Sequence, residues 1–174
     1  EDLCRKTIRE NRRMGIAHVP EDRNLNGSAP EMSVRDNLIA ASLDKLSKGT
    51  ILDRKAIEDY CEACVEDFRV KTSSLDISIK SLSGGNIQKA IVAREFTAGA
   101  DIIILNQPTR GVDVGAMEFI HKKILEMRDE KKSLILVSAD LAELKALSDR
   151  IIVFHQGTIA GVLDDVPNTT EEEL

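Results

Sequence analysis

Nowhere in this chain do apolar residues run for the roughly 20 positions that a membrane-spanning helix needs. No secretory signal is written at the start either, because Glu1-Asp2-Leu3-Cys4-Arg5-Lys6 is charged. Cysteine is scarce: Cys4, Cys61 and Cys64 make three, an odd and sparse set that suits a reducing compartment. Cys61-x-x-Cys64 has the spacing of a redox or metal pair. It lies in a helical pattern with no second Cys or His pair, so it reads as part of a helix face. His18, His121 and His155 have no partner at metal-ligand spacing and read as structural or exposed. Positive charge is not in excess. The net charge of −6 argues against a nucleic-acid partner, since such binders carry a basic face. There is no internal repeat and no low-complexity tract.

What is present is enough for a fold. The 174 residues fit one domain with room for a lobe, and 42% hydrophobic content can bury a core. The 31% charged content marks a soluble chain rather than a disordered one. Gly15-Ile16-Ala17-His18-Val19-Pro20 reads as a short strand stopped by proline, and Glu21 to Pro30 as a polar loop. Ser33-Val34-Arg35-Asp36 has the form of a capping box, and a helix continues from it to Leu43. Residues 54 to 68 form a second amphipathic helix with Ile57, Cys61, Cys64, Val65 and Phe68 on one face. A third helix runs from Asn86 to about Ala98. From Asp101 the pattern alternates: strand 101–105, helix 114–129, strand 133–138, helix 140–147. Ile151 to Phe154 and Thr158 to Ala160 make a hairpin around Gly157. A helical lobe therefore precedes a β/α lobe. Thr169 to Leu174 is acidic and reads as a frayed end.

Two stretches carry chemistry. Leu82-Ser83-Gly84-Gly85-Asn86-Ile87-Gln88-Lys89 puts a Ser-Gly-Gly turn at the opening of a helix. Glycines let backbone N–H groups approach a phosphate, and the helix N-terminus adds partial positive charge. Alone, such a turn is more often a plain loop. Downstream, Asp101-Ile102-Ile103-Ile104-Leu105 reads as a buried parallel strand. It delivers Asn106-Gln107-Pro108-Thr109 at its C-terminal end, where open α/β sheets bind ligands.

Together these resemble the signature motif and Walker B strand of an ATP-binding-cassette (ABC) ATPase. The chain is similar to the second, C-terminal nucleotide-binding domain of the tandem ABC ATPases of bacterial simple-sugar and nucleoside import. The likeness runs from about Gly15 to Gly161. Val19-Pro20-Glu21-Asp22-Arg23 resembles the Q-loop of that subfamily, with Glu21 where most ABC proteins have glutamine. Thr109-Arg110-Gly111-Val112-Asp113-Val114-Gly115-Ala116 resembles the D-loop and the helix start beyond it. Ser148-Asp149-Arg150-Ile151-Ile152-Val153 resembles the segment after the switch region. Asn106 to Gly111, followed by Glu118-Phe119-Ile120-His121, is closer to the nucleoside branch.

The resemblance implies an α/β fold of the P-loop ABC type. Its parts would be a remnant of the N-terminal core with the Q-loop (1–30), a helical lobe (31–81), a β/α lobe with signature, Walker B, D-loop and switch region (82–165), and an acidic tail (166–174). A Walker A loop, G-x-x-x-x-G-K-[ST], would cradle phosphates, but Gly-Lys occurs nowhere. The family places that loop upstream of the Gly15 strand, so the resemblance implies that its strand and helix are missing. The general base of the Walker B strand is replaced by Gln107 and the switch histidine by Ala139. No catalytic residue is then expected in this half. Asn106 stands where a carboxylate would hold Mg²⁺ through its water shell, so no metal residue is expected either. ATP-binding positions carried over are Ser83, Gly84, Gly85, Asn86, Gln88, Glu21, Asn106, Gln107 and Asp113.

The implied cofactors are ATP and Mg²⁺ of a complete transporter. The implied partners are a second nucleotide-binding domain, transmembrane permease subunits and, indirectly, a solute-binding protein. The implied place is the cytoplasmic face of a membrane, held peripherally. The alternatives are a fully catalytic ATPase half, and a soluble ABC-type ATPase acting as a binding or regulatory module.

Overall fold

The computed structural model describes residues 3, 5–49 and 51–166. In chain order it has α1 (Ile8–Arg13), β1 (Ile16–Val19), a π-helical turn (Arg23–Gly27) and α2 (Val34–Ile39). Strands β2 (Ser47–Lys48) and β3 (Ile51–Leu52) precede α3 (Arg54–Asp67), a 3-10 turn (Ile79–Ser81) and α4 (Gly84–Thr97). Then come β4 (Ile102–Asn106), α5 (Val114–Asp129), β5 (Ser133–Val137), α6 (Leu141–Leu147), β6 (Ile151–His155) and β7 (Thr158–Leu163).

Local chemistry sets the helix starts. Each of the six α-helices among the described residues opens on a Ser, Thr or Asp that accepts a backbone N–H: Thr7, Ser33, Asp53, Ser83, Asp113 and Asp140. Each such cap contributes about 1 kcal/mol. At Thr7 and Ser33 the cap is reciprocal, with Glu10 and Asp36 reaching back to the capping N–H.

Strands β1, β4 and β5 form a parallel sheet in the order β1-β4-β5. Ile16 lies opposite Ile102, and Asn106 opposite Val137. The central strand β4 is covered, with Ile103 and Leu105 buried. β5 has β4 as its neighbour, and on it Ile135 and Val137 are 52% and 49% exposed. The hairpin β6–β7 is a separate two-stranded sheet with a bulge between Val153 and Phe154. The organising element is α4. It is buried from Gly85 to Phe96 except for Asn86 and Lys89, and packs on α2, α3, α5 and β1.

Several features depart from the sequence reading: α2 ends at Ile39 rather than running on to Leu43, and α1 over Ile8–Arg13 has no counterpart there. The loop from Glu21 to Pro30 contains the π-helical turn, capped by Asp22, whose carboxylate accepts from the N–H groups of Asn24 and Leu25. The lobe read as helical includes the short antiparallel pair β2–β3. And α4 begins at Gly84 rather than Asn86, because Ser83 is its cap and both glycines belong to its first turn. Cys4 and the acidic stretch Thr169 to Leu174 lie outside the described residues.

Candidate functional site

The N-terminus of α4 is the centre of the candidate site. Ser83 Oγ accepts from the Asn86 backbone N–H at 3.4 Å and from Asn86 Nδ2 at 2.9 Å. Asn86 Oδ1 in turn accepts from the Lys71 N–H at 2.9 Å. The cap is thereby fixed to the segment that follows α3. Close approach requires glycine at 85, and at 84 a flexible side-chain tip crowds the same space. A Cβ on Gly85 would stand 2.8 Å from Asp113 Oδ2 and 3.1 Å from Ala116 Cβ. A Cβ on Gly84 would stand 2.9 Å from Arg23 Nη2. The first turns of α4 and α5 therefore touch backbone to side chain, so two positive helix ends lie side by side.

The segment between β4 and α5 wraps this point. Gln88 is buried, and its Nε2 donates to the Pro108 carbonyl at 2.8 Å. Asp113 caps α5 by accepting from the Ala116 N–H at 2.9 Å. Thr109 Oγ1 donates to Glu143 Oε1 at 2.7 Å, and His121 Nε2 lies 2.9 Å from the same oxygen. Glu21 forms an ion pair with Arg110. Arg23 donates to the carbonyls of Arg110 and Gly111 at 2.8 and 3.2 Å. An open cleft of about 420 Å³ lies among Glu21, Asp22, Arg23, Asn24, Arg110 and Gly111. Hydrogen bonds from the Leu25 and Asn24 N–H groups hold the exposed Asp22 carboxyl below its usual range.

Asn106 ends β4 and Gln107 follows it, while Ala139 lies just beyond β5, the adjacent strand. Gln107 sits at φ +51°, with its N–H donating to the Val137 carbonyl at 2.8 Å. Neither amide carries charge. At an effective dielectric of 20, a unit charge 4 Å from another is worth about 4 kcal/mol, and a divalent ion roughly doubles that. The donor set at the end of β4 forgoes this attraction and does not fit Mg²⁺ as a carboxylate would. A glutamine side chain can orient a water but cannot take its proton. Among the described residues no group of three or more His, Cys, Asp or Glu side chains is placed to hold a metal.

The structure thus brings Ser83, Gly84, Gly85, Asn86, Gln88 and Asp113 to one place, with Glu21 joined through Arg110. Arg23 and Thr109, members of motifs but not among the expected binding positions, join the site, as do His121 and Glu143, which the motifs do not include. Glu143 has the look of an acid in the first turn of a helix, and nothing local in the sequence reveals its reach to Thr109, 34 positions away. A second set was missed beneath the site. Glu95 is buried and bound by Arg12 at 2.9 and 3.0 Å and by Arg94 at 2.8 Å. Burial alone would push the Glu95 carboxyl up, but the two guanidinium groups hold it below the usual range. Burial likewise pushes the His18 imidazole down, against the pull of Glu95. Cys61 and Cys64 are free and buried, in keeping with a helix face.

No protein-family model matches the chain. It is 40% identical over 176 residues to the nucleoside import ATP-binding protein NupA of Lactococcus lactis subsp. cremoris, covering 100% of this chain and 35% of that protein. It is 40% identical over 168 residues to a putative ribose/galactose/methyl galactoside import ATP-binding protein of Geobacillus kaustophilus, covering 95% of this chain and 33% of that one. The chain is a homologue of the ABC-type import ATP-binding proteins. Its fold is the ATP-binding-cassette fold. The dimeric cassette MJ0796 bound to ADP and Pi superposes with a TM-score of 0.74 at 20% identity, over 92% of this chain and 67% of that one. The chain spans about a third of the length of the curated relatives it matches.

Proposed function

We propose that this chain belongs to the C-terminal nucleotide-binding half of an ABC importer for simple sugars or nucleosides, and that it serves ATP hydrolysis by its signature loop. ABC domains work in pairs, each ATP lying between the Walker motifs of one domain and the signature loop of the other. Ser83, Gly84 and Gly85 would close on the γ-phosphate held by the partner domain, with Asp113 beside them. The end of β4, with Asn106 and Gln107, together with Ala139 after β5, would bind nucleotide weakly or hold it without hydrolysis. The loop from Glu21 and the segment 31–81 would face the permease subunits at the cytoplasmic side of the membrane. Among the described residues no helix is long and apolar enough to cross a membrane.

The observation that carries this reading is the asymmetry within one chain. The first turn of α4 is a capped, glycine-lined helix N-terminus, fit for an anion. The strand end that would do the chemistry offers only neutral groups. The 40% identity to import ATP-binding proteins points the same way and favours transport over a soluble regulatory module.

The test is ATP turnover by the full-length transporter with its permease. Ser83→Arg places a bulky cation where the partner's phosphate would sit and removes the cap, and turnover should fall to near background. Gln107→Ala removes no proton acceptor and should leave turnover within about twofold. Restoring Glu at 107 alone should add nothing, because groups that act as a unit recover little when one member is repaired. A transporter that keeps wild-type turnover with Ser83→Arg, or loses it with Gln107→Ala, would overturn the assignment.

A further inference from the structure

Arg23 sits where three segments meet. Its Nη1 donates to the Arg110 carbonyl at 2.8 Å and its Nη2 to the Gly111 carbonyl at 3.2 Å. The same Nη2 lies 2.9 Å from the point a Cβ on Gly84 would occupy. A guanidinium is a planar fork, so its two donors fix direction as well as distance. The carbonyls also offset the repulsion between this cation and the positive end of α4.

The backbone behind Arg23 is held as firmly as its tip. Asp22 Oδ1 accepts from the Asn24 and Leu25 N–H groups, both at 2.9 Å. Ser28 Oγ donates to the Arg23 carbonyl at 2.7 Å. At the far end of the π-helical turn, the Gly27 carbonyl accepts from Arg94 Nη2 at 2.8 Å, and Arg94 is buried on α4. The turn is thus bonded to α4 in its third turn through Arg94, and the Arg23 guanidinium packs against the helix's first residue, Gly84.

We propose that Arg23 is a positioning residue that makes the loop 21–29, the segment Arg110–Gly111 and the first turn of α4 move as one body. This rests on the proposed function. There, the loop is the part that meets the permease, and the other two segments are the parts that reach the partner's ATP. Arg23 would then carry a displacement at the permease to a catalytic site in the other domain, without touching nucleotide itself. The Glu21–Arg110 ion pair runs parallel to this link but joins side chains only, at an exposed site where such pairs contribute little.

The test uses the full-length transporter with its permease. Arg23→Ala and Arg23→Lys should each lower maximal ATP turnover about tenfold, because a lysine cannot donate to both carbonyls in one geometry. Permease co-purification and the melting temperature should not change. Amide exchange should rise together at residues 110–116 and 84–88, and stay unchanged in the body of α5. If Arg23→Ala melts several degrees lower, Arg23→Gln, which keeps two donors on a planar group, replaces it and should restore much of the turnover. Ser83→Arg is the control for the underlying reading. Wild-type turnover in Arg23→Ala while Ser83→Arg abolishes it would overturn the role of Arg23 alone. Wild-type turnover in Ser83→Arg would overturn the underlying reading, and the exchange data would then decide whether the three segments still move together. Faster exchange confined to the loop 21–29 would refute the single-body proposal.

Discussion

Gly84 and Gly85 are chemically identical neighbours in the first turn of α4, and replacing each by alanine should have unequal consequences. In a helix, Gly→Ala gains up to about 1 kcal/mol from propensity alone. At Gly85 that gain is outweighed. The new Cβ would stand 2.8 Å from Asp113 Oδ2 and 3.1 Å from Ala116 Cβ, and Ala116 is buried. Asp113 must move, and its other oxygen is the cap of α5, held at 2.9 Å to the Ala116 N–H. Losing a cap costs about 1 kcal/mol, and overpacking a tight contact costs about 1–3 kcal/mol more. The net loss is then about 1–3 kcal/mol. At Gly84 the obstacle is the tip of the Arg23 side chain, which can shift only by loosening its exposed bonds to the Arg110 and Gly111 carbonyls; that loss is about offset by the propensity gain, so stability should stay within about 1 kcal/mol of wild type.

Urea unfolding of the chain, followed by two spectroscopic probes to establish a single transition, reads the difference. With a slope of about 2 kcal/mol/M, Gly85→Ala should lower the midpoint by roughly 0.5–1.5 M, whereas Gly84→Ala should shift it by less than about 0.5 M. The double change Gly85→Ala with Asp113→Ala should be less damaging than the sum of its parts by about 1 kcal/mol, because the displaced carboxylate is already gone. A Gly85→Ala midpoint at or above wild type, or strict additivity with Asp113→Ala, would refute the argument that these two helix ends are packed through glycine.

Two further outcomes follow from buried chemistry. Glu95 is held below its ordinary range by Arg12 and Arg94, so its contribution to stability is present above the model-peptide value of 4.5 and is lost as pH falls through the lower folded value. Glu95→Gln should therefore destabilise by about 2–4 kcal/mol at neutral pH, somewhat under the range for a fully buried pair because Arg12 is about a third exposed, and its deficit should shrink below about pH 4; a deficit that stays constant down to pH 3 would contradict this. Cys61 is pushed up to about 12 by burial, and Cys64 is raised for the same reason. Mass spectrometry after iodoacetamide treatment at pH 8 should find both unmodified in the native chain and both modified in denaturant, and rapid native labelling at either would contradict their placement in the core.

Much of the fold was legible because it is written locally. Ser33 and Asp36 announce α2, and Ser83 with its glycines announces α4. The apolar run into Asn106 announces β4, whose register against β5 puts Asn106 opposite Val137. What escaped depends on partners far along the chain. The π-helical turn is stabilised by Arg94, 67 positions from the Gly27 carbonyl it binds. Glu95 reads as a charge misplaced in an apolar helix until Arg12, 83 positions earlier, is seen to neutralise it. The pair β2–β3 is two residues on each side with Ile51 and Leu52 exposed, so no alternation marks it. At the site, the motif residues were legible, but the groups that aim them were not. Arg23 was read as one letter of a motif, and Glu143 not at all.

The end of β4 separates two properties that a single residue usually combines. Gln107 sits at φ +51°, a left-handed conformation that costs a non-glycine residue about 1–2 kcal/mol. Its N–H is bound by the Val137 carbonyl, and its own carbonyl accepts from the Arg110 N–H at 3.1 Å. Those two bonds hold a sharp turn, and the turn delivers Pro108 to the amide of Gln88 and Thr109 to Glu143. The turn runs on to Arg110 and Gly111, whose carbonyls receive Arg23. Both stabilising contacts of the turn are made by backbone atoms. An acid in place of the amide at this position would add a proton acceptor and leave the path of the following loop intact. A neutral side chain at the strand end and a fixed path in the loop beyond it are for this reason compatible, and one chain can carry both beside the braced first turn of α4.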